Sequence, residues 1–330
     1  MQFPLLLTQA LDALLEGLPR KALATAAARM SAGYRRGDTS SGISTEADAL
    51  AYAIARMPAT YAACAAVFAR LIQVMPAFVP AKVLDVGAGT GAASWAAVTA
   101  WPDIASVIML DRNPALRALA HKLAEAGHVA GVEMLAGDLA SPKPEADLVL
   151  ASYVLAELPE EQAGKVATDL WKSAKGALVL IEPGTPAGFA RIRSARTALI
   201  AAGAHVAAPC THDHACPMRG RSVREADSGS VSASDQNNDW CHFSQRLPRT
   251  RDHMLLKDAH VPFEDERYSY LVVTRERVAS GARILAPPEE SKPGLTFKLC
   301  DESGLHSQFV AARDKDEYRR VRKRGWGDLF

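Results

Sequence analysis

Two groups of residues in this chain have the types and spacing to do chemistry. The first is four thiols late in the sequence: Cys210 and Cys216 in Pro209-Cys-Thr-His-Asp-His-Ala-Cys-Pro217, Cys241 in Asp239-Trp-Cys-His-Phe243, and Cys300 in Lys298-Leu-Cys-Asp301. Five, twenty-four and fifty-eight residues intervene, so no pair has the short spacing of a zinc ribbon. The closely spaced triplet that holds the cluster of radical S-adenosylmethionine enzymes is also missing. Four soft thiolates suit tetrahedral zinc or an iron–sulfur cluster, and spacing alone leaves both open, along with scattered buried thiols. His212, His214 and His242 are near enough in sequence to serve as substitute ligands or as donors to the thiolates. The second group is Val83-Leu-Asp-Val-Gly-Ala-Gly-Thr-Gly91, a strand running into a glycine-rich turn. Gly87, Gly89 and Gly91 allow a tight turn and close approach of a ligand, because no Cβ stands in the way.

The glycine spacing also satisfies a dinucleotide fingerprint if Ala92 takes its third position. The carboxylates around it favour S-adenosylmethionine. Asp85, two residues before Gly87, is placed to help orient the methionine ammonium group. Asp111 ends the next strand and suits the two ribose hydroxyls. Asp138, in Ala136-Gly-Asp-Leu139, ends the third strand, where the adenine amino group is contacted. The combination resembles the class I methyltransferase motif series across residues 82 to 182, with the ligand beyond the carboxyl ends of the strands. Substrate is then expected over Tyr153 and the segment from Glu182 to Thr185. No Asn-Pro-Pro-aromatic signature of amino-group methylation occurs there, and no cysteine stands where pyrimidine carbon methylation needs a nucleophile. The enzyme assignment is therefore open: an S-adenosylmethionine-dependent methyltransferase is the expectation, without a named reaction.

The elements that must position these residues are readable. Residues 1–80 are alanine-rich and helical in pattern, with a capping box at Thr45 and Asp48 and a kink or restart expected at Pro58. Cys64, in an apolar helical run, reads as a small core residue. From residue 82, apolar runs alternate with helical stretches, which predicts a parallel sheet. The strands expected are Lys82–Val86, Ser106–Leu110, Val132–Ala136, Leu148–Ser152 and Ala177–Ile181, followed by a helix from Thr185 to Ala202. The alternation breaks near residue 204. A Cys/His-rich insertion to residue 266 includes a polar loop from Glu225 to Asn238. A strand returns at Tyr268–Thr274, and short β segments follow at 283–286, 296–300 and 307–311. A basic run from Tyr318 to Gly325 ends the pattern. The expected divisions are a helical region (1–80), a methyltransferase core (81–203), the inserted region (204–266), and a part holding the last core strand, a β extension and the basic tail (267–330).

Bulk properties exclude a disordered chain and suggest no partner by net charge: 330 residues, 48% hydrophobic, formal charge +1. The first eighteen residues lack the basic start and long apolar run of a secretory signal. No uninterrupted apolar run is long enough to span a bilayer. A cytoplasmic monomer without a membrane partner is expected. Arginines cluster late, at 191/193/196, 219/221/224, 246/249/251 and 319 to 324. Their forked donors suit phosphate, and Trp240, His242 and Phe243 offer rings for unpaired bases, against the alternative of a solvated charged face.

Six blocks together resemble one family: Tyr52 to Tyr61, the glycine loop, Ile181-Glu-Pro-Gly-Thr-Pro186, Ala208-Pro-Cys-Thr-His-Asp213, Trp240-Cys-His-Phe-Ser-Gln-Arg246 and Tyr268-Ser-Tyr-Leu271. It is the mitochondrial ribosomal small-subunit protein 22 family, called methyltransferase-like protein 17 in animals. The resemblance spans about residues 40 to 310. It implies a class I (Rossmann-like) α/β methyltransferase fold with a [4Fe–4S] cluster on Cys210, Cys216, Cys241 and Cys300. It also implies a role in assembling the small ribosomal subunit, with ribosomal RNA as a partner. The long polar insertion between Cys216 and Cys241 departs from the family pattern without removing a ligand. Two other readings stand beside this one: a small-molecule or protein methyltransferase with a structural zinc site, and a non-catalytic assembly scaffold.

Overall fold

The computed structural model describes residues 3–35, 42–129, 131–218, 239–278 and 281–330. Five parallel strands form its centre: β1 (Lys82–Val86), β2 (Ser106–Asp111), β3 (Val132–Ala136), β4 (Ala146–Ser152) and β5 (Ala174–Pro183). They lie in the order β3-β2-β1-β4-β5. β8 (Phe263–Thr274) joins antiparallel to β5, with β6 (His205–Ala208) beyond it. This is the class I methyltransferase arrangement. Val83, Leu84, Val149, Leu178 and Val272 are fully buried, as strands covered on both faces must be. The order reverses between β1 and β4, so the carboxyl ends of β1, β2 and β4 open a crevice at the glycine turn.

Helices cover both faces. On one side lie α1 (Leu5–Leu15), α2 (Arg20–Arg35), α3 (Glu46–Val74), α4 (Ala92–Ala100) and α5 (Pro114–Ala126); on the other, α6 (Ala163–Ser173) and α7 (Pro186–Ala201). The capping box is formed: Thr45 Oγ1 accepts from Asp48 N, and Asp48 accepts from Thr45 N. Such a cap is worth about 1 kcal/mol. Pro58 does not restart the helix as expected, because α3 runs continuously over 29 residues. The reason is burial: Ala49, Ala53, Ala59, Ala63 and Phe68 are all at zero exposure, so packing along the helix outweighs one lost amide bond. α3 also has the length and apolarity of a membrane-crossing helix, yet 56% of that window is buried within the protein, as in a core helix. Cys64 lies in this core, as its sequence context suggests.

Two features position the second site. β7 (Phe243–Pro248) pairs with the first half of β8, on the edge where β6 pairs with its last residues. Between those pairings, Ser269 to Leu271 face the loops that leave β6 and enter β7. A second sheet follows, with β10 (Glu289–Ser291), β11 (Gly294–Asp301) and β12 (Gly304–Ala311) in that order, and β9 (Arg283–Ile284) on β11. It packs on its own small core of Ile284, Phe297, Leu299 and Val321.

Candidate functional sites: a nucleoside cleft and a four-thiol cavity

Gly87, Gly89 and Gly91 all have positive φ (70°, 56° and 82°), so the turn is of a kind that L side chains resist. Gly87 N and Ala88 N donate to Leu110 O, at 2.7 and 3.2 Å, which closes the loop onto β2. Gly89 N donates to Asp111 Oδ2 at 2.8 Å, and Asn113 N to Asp111 Oδ1 at 2.7 Å. A Cβ on Gly87 would meet Val154 Cγ2 at 2.5 Å, whereas one on Gly89 would meet nothing within 4 Å. Gly89 therefore borders open space. That space is a cleft of about 650 Å³ whose lining includes Gly87, Gly89, Asp111, Asp138, Tyr153 and Glu157.

The three aspartates are placed differently. Asp111 lines the cleft with both oxygens engaged. Asp138 also lines it, exposed; Ala140 N, Ser141 N and Ser141 Oγ donate to its Oδ1 at 2.9, 3.0 and 3.1 Å, which holds its pKa below the usual range. Asp85 lies beneath the loop at zero exposure, where Ser94 N and Oγ donate to its Oδ2 at 3.1 and 2.7 Å. Its Oδ1 has no partner, and burial pushes its pKa up to about 6.

Tyr153 directly follows β4 with φ at 61°, a strained conformation for a bulky residue and one that clusters at functional sites. Its hydroxyl donates to Glu266 Oε1 at 2.7 Å, and Arg56 Nη2 from α3 donates to the same oxygen at 3.4 Å. Glu182 is fully buried below; Leu155 N donates to its Oε1 at 2.8 Å, and Oε2 has no partner. Burial lifts its pKa from 4.5 to about 8. The folded state thus holds this proton more tightly than the unfolded chain. Its contribution to stability is complete below pH 4.5 and is lost as pH rises through about 8. Glu182→Gln keeps the acceptor for Leu155 N and removes the titration. We expect urea midpoints of wild type and variant to diverge in the variant's favour between those pH values, by up to a few kcal/mol. Parallel midpoints across the range would contradict this.

The four late cysteines come together. Cys210, Cys216, Cys241 and Cys300 all line one cavity, with Phe189, Ile192, Tyr270 and Leu271 from the core and Arg196 and Arg283 beside them. They approach from three stretches of chain, Cys210 and Cys216 sharing the loop after β6. Cys210 follows β6, on a loop fastened by Asp213, which accepts from Val206 N at 2.8 Å and lies 2.8 Å from His205 Nδ1. Arg196 Nη2 of α7 donates to His212 O at 2.8 Å on the same loop. Cys241 precedes β7; its carbonyl accepts from Ser269 Oγ at 2.8 Å, and Trp240 Nε1 donates to Gly184 O at 3.0 Å. Cys300 comes from β11, opposite Arg283 of β9, with His212 Nε2 at 3.7 Å from its Sγ. Burial raises the Cys241 pKa well above its ordinary value, and the other three thiols add to the rise. Burial, then Cys210 and Cys216, lift Cys300 to about 12. Among the described residues, no group of three or more Cys, His, Asp or Glu side chains is arranged to hold a metal ion as the chain stands.

The basic clusters are less free than their sequence suggests. Arg191 donates to Leu158 O at 2.9 Å, Arg246 pairs with Asp265 at 2.7 Å, and Arg249 lies 3.4 Å from Glu264. Arg319 and Arg320 pair with Asp316 and Glu317 at 3.3 and 2.6 Å. Arg219, Arg221, Arg224 and the loop from Glu225 to Asn238 lie outside the described residues. Trp240 and His242 stack at 5.0 Å and half-exposed, and Trp326 meets His242 edge-on at the same distance. Sequence reasoning missed Arg283, Glu266 and Trp326 as site residues. Arg56 lies in the block from Tyr52 to Tyr61 that carries the family resemblance, so its signal was present.

Comparison with known proteins places the chain. A family model described as mitochondrial small ribosomal subunit Rsm22 matches residues 46–330. The chain is 29% identical to the Homo sapiens protein named ribosome assembly protein METTL17, mitochondrial, over 87% of its own length and 63% of that protein's. It is 26% identical to the Schizosaccharomyces pombe Rsm22-cox11 tandem protein 2, mitochondrial, over 89% of its own length and 44% of that one's. The chain thus spans about half to two thirds of these relatives. Among solved structures it resembles magnesium protoporphyrin IX methyltransferase of Synechocystis PCC 6803 with bound SAM, at a TM-score of 0.43 and 16% identity, over 79% of this chain and 99% of that one. The cytoplasmic placement expected from the N-terminus is corrected by these matches: the family and both relatives are mitochondrial by name, which points to the mitochondrion. A secretory signal was the only address weighed in that expectation, and its lack does not discriminate between these compartments. Matched over most of its length, the chain belongs to the mitochondrial small ribosomal subunit Rsm22 family.

Proposed function

We propose that this protein is an assembly factor of the small ribosomal subunit that binds S-adenosylmethionine in its nucleoside cleft and a [4Fe–4S] cluster between its four late cysteines. The observation that carries the reading is the convergence of Cys210, Cys216, Cys241 and Cys300, from three separate stretches of chain, on one apolar cavity. Scattered structural thiols have no reason to meet. The donor set fits the group: four soft sulfurs, of which Cys216, Cys241 and Cys300 are disfavoured as free thiolates by burial and by their neighbours, would be stabilised together by a cationic core. Buried donors without partners support the same fit, namely Arg283 Nη2, Arg196 Nε and His212 Nδ1.

In the cleft, Asp111 presets the loop through Gly89 N and faces the ribose position, while Asp138 stands where the adenine amino group is met. S-adenosylmethionine would supply an electrophilic methyl group. Asp85 acts from below, fixing the start of α4 through Ser94 rather than touching the ligand. The cluster is structural in this reading: it ties the loops at the edge of β8 to the second sheet, and so sets the aromatic surface of Trp240, His242 and Trp326. That surface suits unpaired bases of ribosomal RNA. The ribosomal role rests on the family and on the human relative's name.

The test is crosslinking in living cells followed by sequencing of the bound RNA, with iron and acid-labile sulfide measured on the purified protein. Crosslinks concentrated on small-subunit ribosomal RNA, with iron and sulfide present in equal amounts, are expected. Crosslinks at background level sink the RNA part, and zinc in place of iron sinks the cluster.

A further inference from the structure

Arg283 is the largest fully buried side chain of the molecule, at zero exposure, and it lines the four-thiol cavity. Its Nε donates to Pro209 O and its Nη1 to Gly327 O, each at 3.0 Å, while Nη2 has no partner. Arg196, 4% exposed, lines the same cavity; its Nη2 donates to His212 O and its Nε has no partner. Among the described residues neither guanidinium meets a carboxylate. The acids nearest in sequence to the cysteines are turned away, Asp213 to His205 and Val206, Asp239 to Lys298, and Asp301 to Ser303 at 2.8 and 2.6 Å. Two buried cations facing neutral thiols would be a severe electrostatic fault, since an unpaired buried charge is among the costliest arrangements in a folded protein.

Resting on the cluster reading, we propose that Arg283 and Arg196 are the countercharge of an anionic four-thiolate centre and donate their unpartnered N–H groups to its sulfurs. Four thiolates on a doubly charged core leave two net negative charges, and two guanidiniums neutralise them. The placement supports the pairing. Arg283 sits opposite Cys300 in the sheet and holds the carbonyl beside Cys210, so it reaches two ligands from one position. Hydrogen bonds and charge at the sulfurs are levers on a cluster's potential and on its retention.

The experiment uses the full chain carrying Arg283→Met, Arg283→Lys, Arg196→Met or Arg196→Lys. It reads metal content, the rate of metal loss to a chelator and the midpoint potential. Each Met variant is expected to release its metal at least tenfold faster and to shift the potential to a more negative value. The Lys variants should recover part of both, because they restore the charge without the fork. A purely structural role predicts that Arg283→Lys fails as Met does, since lysine cannot hold Pro209 O and Gly327 O with the same geometry. If Arg283→Met does not fold, the Arg196 pair, which touches only one carbonyl, gives the decision. Wild-type protein without iron overturns the cluster reading beneath this proposal. Iron-loaded wild type, with Arg196→Met unchanged in loss rate and potential, overturns the countercharge alone.

Discussion

Cys241→Ser is expected to empty the four-cysteine centre and unfold the part of the molecule built around it. The hydroxyl of serine is a poor ligand for a core that three soft sulfurs hold. The position cannot relax outward, because the Cys241 carbonyl is tied to Ser269 Oγ and the neighbouring Trp240 to Gly184 O. On the proposed reading, three elements would depend on the centre for their placement: the loop after β6, the entry to β7, and the second sheet through Cys300. In four-thiolate sites the metal contributes apparent folding energy of about 10 kcal/mol or more, so even a partial loss is large on the scale of domain stability. The variant should carry little iron. It should also lose about 3 kcal/mol or more, which for a chain of this size lowers the melting temperature by roughly 4 °C or more. Cys64→Ser is the matched control: Cys64 is equally buried but stands in α3, away from the cavity, so its variant should keep its metal. Iron content and thermal unfolding of the two variants decide the matter. A Cys241→Ser protein with wild-type iron and melting temperature removes the centre from the account.

The elements were legible where sequence pattern and packing agree. β1 and β3 have the bounds expected from their apolar runs, and the capping box at Thr45 opens α3 where the motif places it. Of the kink or restart expected at Pro58, the restart does not occur, because tertiary burial along α3 outweighs the local rule. The four cysteines were legible as a set, yet their meeting was not: the pairing of β6 and β7 on one edge of β8 leaves the opening they enter, and strand register over such separations has no local signature. Asp85 shows the same limit. Its position before the glycines is the motif's, but whether its carboxylate faces the ligand or the N-terminus of α4 depends on Ser94, nine residues on. Arg283 had no signal. A lone arginine in a short β segment reads as a surface residue, and only the second sheet, with Gly327 folding back over β9, encloses it. Some of the clustered arginines are engaged in the fold, Arg191 with a carbonyl and Arg246, Arg319 and Arg320 with carboxylates, which their spacing in sequence does not reveal.

Gly89→Arg is expected to abolish S-adenosylmethionine binding while leaving the protein folded. The three glycines of the turn differ in what a side chain would meet. At Gly87 a Cβ runs into Val154, and at Gly91 it comes within 3.1 Å of Met109 Sδ, so substitution there disturbs the fold and binding together. At Gly89 it enters the open cleft. The cost to stability is then mainly the positive φ of 56°, about 1–2 kcal/mol for a residue other than glycine. The arginine side chain, however, would occupy the ligand's own volume next to Asp111 and lie over its carboxylate. Calorimetric titration should show affinity reduced by at least a hundredfold, with a melting temperature lowered by only a few degrees. The same variant separates catalyst from scaffold. If cells carrying it as their only copy assemble small subunits at the wild-type rate, the cofactor fold is retained as a frame for the cysteine centre. If assembly stalls while the protein remains at wild-type abundance, the bound cofactor is required. A variant that binds S-adenosylmethionine normally would show instead that the cleft at the carboxyl ends of β1 and β2 is not the cofactor site, and Asp111 and Asp138 would lose their assigned roles with it.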